Sequence, residues 1–231
     1  ELNKFVPENE YLGGLENLKY YGTKEGFYSR AGTGGGIAGY LTEKGYGYYI
    51  SHTSSLATPE TYWPEVVSHE FTHMLQGILA NGFASDYPEG HPKAKWHGHL
   101  IEGSANTLGM ALGFESLGWY SDEMDRILKR DIESFRSWKK MANVDDAVAF
   151  IKAIEERTDD KNSSFSYSAG QVVWEYFVGK YGVNKFVELL QNIPKTEDFN
   201  ANLKATIGKD REAFYQEAGG YLLKNWQRLS K

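Results

Sequence analysis

Val66–Leu79 reads VVSHEFTHMLQGIL, and within it His69-Glu70-Phe71-Thr72-His73 is an HExxH string. Two histidines one helical turn apart aim the same way, so on a helix they can share one Zn²⁺ while Glu70 reaches the water beside it. The flanks predict that helix. Pro64 suits a first-turn position, where its missing N–H costs nothing, and Glu65 suits the positive helix end. Val67, Phe71, Met74, Leu75 and Ile78 recur at helical spacing, and His69 and His73 fall nearly opposite that arc. A helix buried on its Val67/Phe71/Met74/Ile78 side would hold both imidazoles over an open space. Asn81-Gly82 supplies the stop. The competing reading is a solvated helix face that carries two histidines by chance.

A hydrolytic zinc site needs a third protein ligand and an open fourth position. The longer HExxHxxGxxH pattern would need histidine at position 79, which is Leu79. His91, His97 and His99 qualify by residue type. Glu102 is the better candidate: Ile101, Ala105, Leu108 and Leu112 mark a second helix with Glu102 in its first turn, able to reach the first helix. A surface carboxylate at a helix start is the plain alternative.

HExxH followed by a helical Glu-Gly resembles the gluzincin metallopeptidases, and among them the peptidase domain of the bacterial collagenases. The matching blocks are TPETYWPEVVSHEFTHMLQG, IEGSA and FSYSAG, within an overlap from about 45 to 225. The resemblance implies a zincin/thermolysin-like fold, one catalytic zinc on His69, His73 and Glu102, and Glu70 as general base. It also implies an oxyanion-stabilising tyrosine at Tyr167, in Tyr167-Ser168-Ala169-Gly170, with a packed aromatic as the alternative. Related enzymes often carry an acidic residue four positions after the glutamate ligand, supporting an imidazole. Asn106 stands there, a neutral and weaker partner. The collagenase calcium glutamate falls on Ser51, so calcium is not indicated. The Gly-x-Met-Glu-Asn motif of the clan's aminopeptidases is absent, which favours an endopeptidase on protein or peptide substrates. An exopeptidase, or a non-catalytic module holding peptide or glycan, are the rival readings. A secreted or cell-envelope location follows from the resemblance alone.

Glycines and aromatics crowd positions 11 to 53, with alternating runs such as YGYYIS that suggest twisted strands. Helical periods follow over 64–80, 99–117, 121–140, 144–157, 166–181, 184–192 and 209–227, the fifth opening at Tyr167. Strands first and helices later predict an α+β fold with a mainly antiparallel N-terminal sheet. One catalytic domain is expected over 1–231, with a β-rich lobe and the HExxH helix in 1–81 and a helical lobe in 82–231. Gly82 to Gly98 reads as a solvated loop, with bordering the site or holding a second ion as its alternatives. Gly32–Leu41, GTGGGIAGYL, lacks the Lys-Ser/Thr ending of a phosphate loop. Gly35–Tyr40 or Gly45–Ile50 could instead pair with extended substrate.

A net charge of −6 gives no electrostatic reason to expect nucleic acid or anionic membranes as partners. No apolar run approaches the roughly 20 residues of a membrane span. Without cysteine there are no disulfides and no thiolate ligands. The stretch from Glu1 has no basic-plus-apolar leader, so a signal peptide is expected to have been removed or never present.

Overall fold

Asn or Asp stands at the start of four helices, each side chain accepting a hydrogen bond from the backbone N–H three residues on. The computed structural model in which this is seen describes residues 37–42, 45–50, 63–83, 85–114, 120–135 and 141–230. A hairpin of β1 (Ile37–Thr42) and β2 (Gly45–Ile50) precedes α1 (Trp63–Leu79). A π-helical turn, His99–Gly103, runs directly into α2 (Ser104–Phe114), followed by α3 (Tyr120–Ser134) and α4 (Val144–Ala153). The long α5 (Asp160–Tyr181), then α6 (Val183–Asn192), α7 (Phe199–Ile207) and α8 (Arg211–Leu229) complete the order. Among the described residues no helix is long and apolar enough to cross a membrane.

The core surrounds α5, which packs against the π-helical turn, α2, α3, α6 and α8. Phe165, Ala169, Val173, Trp174 and Phe177 are wholly or almost wholly buried along it. Trp174 sits amid Phe177, Phe186 and Phe214 at ring-centroid separations of 5.2, 5.6 and 6.1 Å. Such aromatic packing carries much of a helical core's burial energy.

The α+β expectation, zincin/thermolysin-like with a twisted N-terminal sheet, is overturned: the described fold is helical. Its only extended structure among the described residues is the antiparallel β1–β2 hairpin, in register from Ile37 opposite Ile50 to Thr42 opposite Gly45, lying beside α1. Two strands make no sheet layer able to bury a helical face, and here the helices bury one another. The two glycine-rich stretches read as alternative substrate strands pair with each other. Strands expected between 11 and 36, the Gly32–Gly36 part of the glycine run, Ser51, and the helical positions 115–117 and 136–140 lie outside the described residues.

Boundaries moved for local reasons. Asp159 caps α5 through Asn162 N–H at 2.7 Å, so that helix starts six residues earlier than expected and Tyr167 lies in its second turn. Asp198 caps α7, a helix absent from the periodicity reading, and Gly208 ends it in the left-handed conformation at φ 73°. The Asn81-Gly82 stop holds: both have positive φ, and Gly82 N–H donates to Gly77 O at 2.8 Å.

The Glu-Gly and Ala-Gly pairs of the sequence blocks meet where the π-helical turn crosses α5. A Cβ placed on Gly103 would stand 2.7 Å from the Cα and the carbonyl oxygen of Gly170. The obstacle is backbone, so the two elements must separate. Gly103→Ala is expected to cost about 3 kcal/mol, the upper end of ordinary overpacking, and to lower Tm by about 6–12 °C. Gly179→Ala, with nothing within 4 Å, is the matched control and is expected to be neutral or slightly stabilising. Thermal unfolding of both variants checks this; equal Tm values would contradict the close crossing.

Candidate metal centre

α1 packs most extensively on α2 and presents its polar stripe to it. His69, Thr72 and Gln76 are buried, whereas Phe71, Leu75 and Ile78 are only half-buried. The open space expected over the histidines is instead filled by the carboxylate-bearing turn, while Phe71 and Ile78 of the expected apolar side are half-buried and the side chains of Val67 and Met74 lie outside the described residues.

His73 Nε2 lies 3.0 Å from His69 Nε2 and 3.2 Å from Glu102 Oε2, and His69 Nε2 lies 3.5 Å from the same oxygen. Ligands held about 2.0–2.1 Å from a tetrahedral zinc stand about 3.3 Å apart. The three observed edges bracket that value. Among the described residues these three are the one His/Asp/Glu group that converges in this way.

Hydrogen bonding shows how the triangle is oriented. The Gln76 amide nitrogen donates to Ile101 O at 2.8 Å and to Ser104 Oγ at 2.8 Å, which leaves Gln76 Oε1 facing His73 Nδ1 at 2.8 Å. An amide oxygen only accepts, so Nδ1 carries the His73 proton and Nε2 turns a bare lone pair toward the Glu102 carboxylate. Glu102 Oε2 is buried without a hydrogen-bond donor. His69 Nε2, His73 Nε2 and Glu102 Oε2 converge with the buried carboxylate oxygen otherwise without a donor, and two imidazole nitrogens with one carboxylate oxygen are a donor set that fits a divalent metal.

Arg157 completes the surroundings. It donates through Nη1 to Glu102 Oε1, and through Nε and Nη2 to Glu89 at 2.9 and 2.6 Å. Burial alone would raise the Glu102 pKa, and the Arg157 guanidinium on Oε1 opposes that by favouring the ionised form. Glu102 is therefore the anion a cation requires, and with Oε1 occupied by Arg157 it offers one oxygen rather than two.

Tyr167 is brought to the centre, its ring stacked on His69 at 5.8 Å between centroids and 14° between planes. Glu70 lies on α1 next to His69, and its side chain is outside the described residues. Asn106 is buried, but its amide donates to Tyr167 O at 3.3 Å, which ties α2 to α5; the imidazole partner found is Gln76 on His73.

The other histidines stand elsewhere. Trp174 Nε1–H donates to His99 Nδ1 at 3.3 Å, so His99 Nε2–H donates to Tyr215 Oη at 2.8 Å, and Tyr215 donates to Glu155 at 2.6 Å. Burial, then the charge of Arg211, pushes His97 down to about 3; burial also holds His99 well below its usual range, so both are neutral core groups. His91 stacks on Tyr87 at 4.4 Å. From the Gly82–Gly98 loop, Glu89 borders the centre through Arg157.

Periodicity missed Gln76 and Arg157. Gln76 continues the His69, His73 stripe at i+7, a signal present in the sequence. Arg157 precedes the α5 cap and has no local pattern that marks it.

No family model matches the chain, and neither do curated proteins or solved structures.

Proposed function

We propose that this protein is a zinc-dependent endopeptidase. The observation that carries the proposal is the His69, His73, Glu102 triangle, with edges of 3.0, 3.2 and 3.5 Å around a buried, donorless carboxylate oxygen. Zinc held there would polarise a peptide carbonyl and lower the pKa of water toward about 7. Glu70, beside His69 on α1, accepts the proton of the attacking water and returns it to the leaving amine. Tyr167, stacked on His69, offers its O–H to the oxyanion that develops on the carbonyl. Arg157 holds the Glu102 carboxylate by one oxygen and directs the other inward. The β1–β2 hairpin beside α1 is the element we assign to extended substrate, by strand addition. A secreted or cell-envelope location accompanies the proposal through the collagenase resemblance.

The test is a peptide-library digest read by mass spectrometry, with metal-free protein and with protein reloaded with one equivalent of zinc. The expected result is internal cleavage that needs the zinc. Products shortened one residue at a time would favour the exopeptidase, peptide retention without cutting would favour the binding module, and no cleavage with zinc bound would sink the proposal.

A further inference from the structure

Gln76 is wholly buried on α1 and touches both halves of the metal centre. Its carbonyl oxygen accepts from His73 Nδ1 at 2.8 Å. Its nitrogen donates to Ile101 O at 2.8 Å, with Leu100 O at 3.4 Å, the carbonyls of the two residues immediately before Glu102. It also donates to Ser104 Oγ, which in turn donates to Leu100 O at 2.5 Å. These carbonyls belong to the π-helical turn, an irregular geometry common at functional sites. In regular α-helix Ser104 N–H would reach Leu100 O; here it bonds Ile101 O, and the Ser104 hydroxyl and Gln76 serve the carbonyls instead.

We propose that Gln76 is the positioning residue of this centre: one amide fixes which nitrogen of His73 faces inward and grips the π-helical turn that carries Glu102. The HExxH helix and the distant carboxylate are thereby locked into one ligand frame. The inference rests on the zinc reading for its effect on affinity, but the His73 tautomer follows from the hydrogen bonds alone. An imidazole whose outer nitrogen is held by an acceptor is a pre-oriented, more basic ligand, and losing such a partner typically costs 10–100-fold in metal affinity.

The experiment uses the whole chain as wild type, Gln76→Met, which keeps length and volume, and Gln76→Glu, which keeps an acceptor for His73 but sets an oxygen against the Leu100 and Ile101 carbonyls. Zinc affinity is read by competition with a chromophoric chelator. The His73 tautomer is read in the metal-free chain by nitrogen-15 NMR. Wild type is expected to show Nδ1–H on His73. Gln76→Met is expected to lose that tautomer preference and to bind zinc about 10–100-fold more weakly. Gln76→Glu is expected to retain the tautomer and still lose about tenfold or more. Should Gln76→Met fail to fold, Gln76→Glu decides: retained tautomer with weakened zinc supports the proposal, and wild-type affinity overturns it. Wild-type affinity and an unchanged tautomer in Gln76→Met would also overturn it. Absence of zinc binding by the wild type, with its Nδ1–H intact, would instead count against the metal reading and leave the amide's role on His73 standing.

Discussion

Glu70→Gln is expected to keep one zinc per chain and to lose cleavage by a factor of about 10²–10⁴, the usual contribution of a positioned general base. The amide has nearly the same shape and helix propensity as the carboxylate, so α1 should persist. It cannot accept the proton of the attacking water. The loss should therefore appear in kcat more than in KM, as expected for an interaction made only in the transition state. At about 1.4 kcal/mol per decade the range corresponds to about 3–5 kcal/mol of barrier. Zinc content and steady-state kinetics on the same preparation check the result. Equal cleavage by variant and wild type would remove Glu70 from the mechanism.

The site was more legible in the sequence than the fold. His69 and His73 follow from one local fact, that residues four apart on a helix share a face. Glu102 needed only a second short helix to begin at the right place. The burial of the histidine stripe on α1 is not legible in apolar periodicity, which assumes that polar residues face water. Gln76 meets the carbonyls of the π-helical turn and His69 and His73 meet Glu102 on that turn, so the hydrophilic stripe is buried against polar partners. Gln76 was visible in principle, at i+7 from His69, once the histidine stripe was followed for another turn.

Composition misled the fold class. Glycine and aromatic residues between 11 and 53 suggested a sheet, yet the described strands form one hairpin against α1. The cue for α7 was capping chemistry, Asp198 at one end and Gly208 at the other, rather than an apolar stripe. Arg157 could not be found by local reasoning. It lies 55 positions from Glu102, and its role depends on the crossing of α5 with the π-helical turn, where Gly103 and Gly170 allow backbones to touch. That crossing is a long-range fact, and pattern rules carry no information about it.

Glu102→Ala should be the most damaging single change to metal binding. It removes the only anionic ligand of the proposed set and leaves Arg157 facing two imidazoles with Glu89 as its remaining partner. A positive charge then replaces a negative one at the position a cation must approach, so the affinity loss should exceed the 10–100-fold typical of outer partners. Zinc titration into the metal-free wild type and the Glu102→Ala chain, with zinc K-edge absorption on the loaded samples, measures this directly. The wild type should take up one ion, with four nitrogen or oxygen neighbours at about 2.0–2.1 Å and the scattering signature of two imidazoles. The variant should hold little zinc at the same concentration. Undiminished affinity in Glu102→Ala, or a wild-type ion without two imidazole neighbours, would contradict the centre assigned to His69, His73 and Glu102.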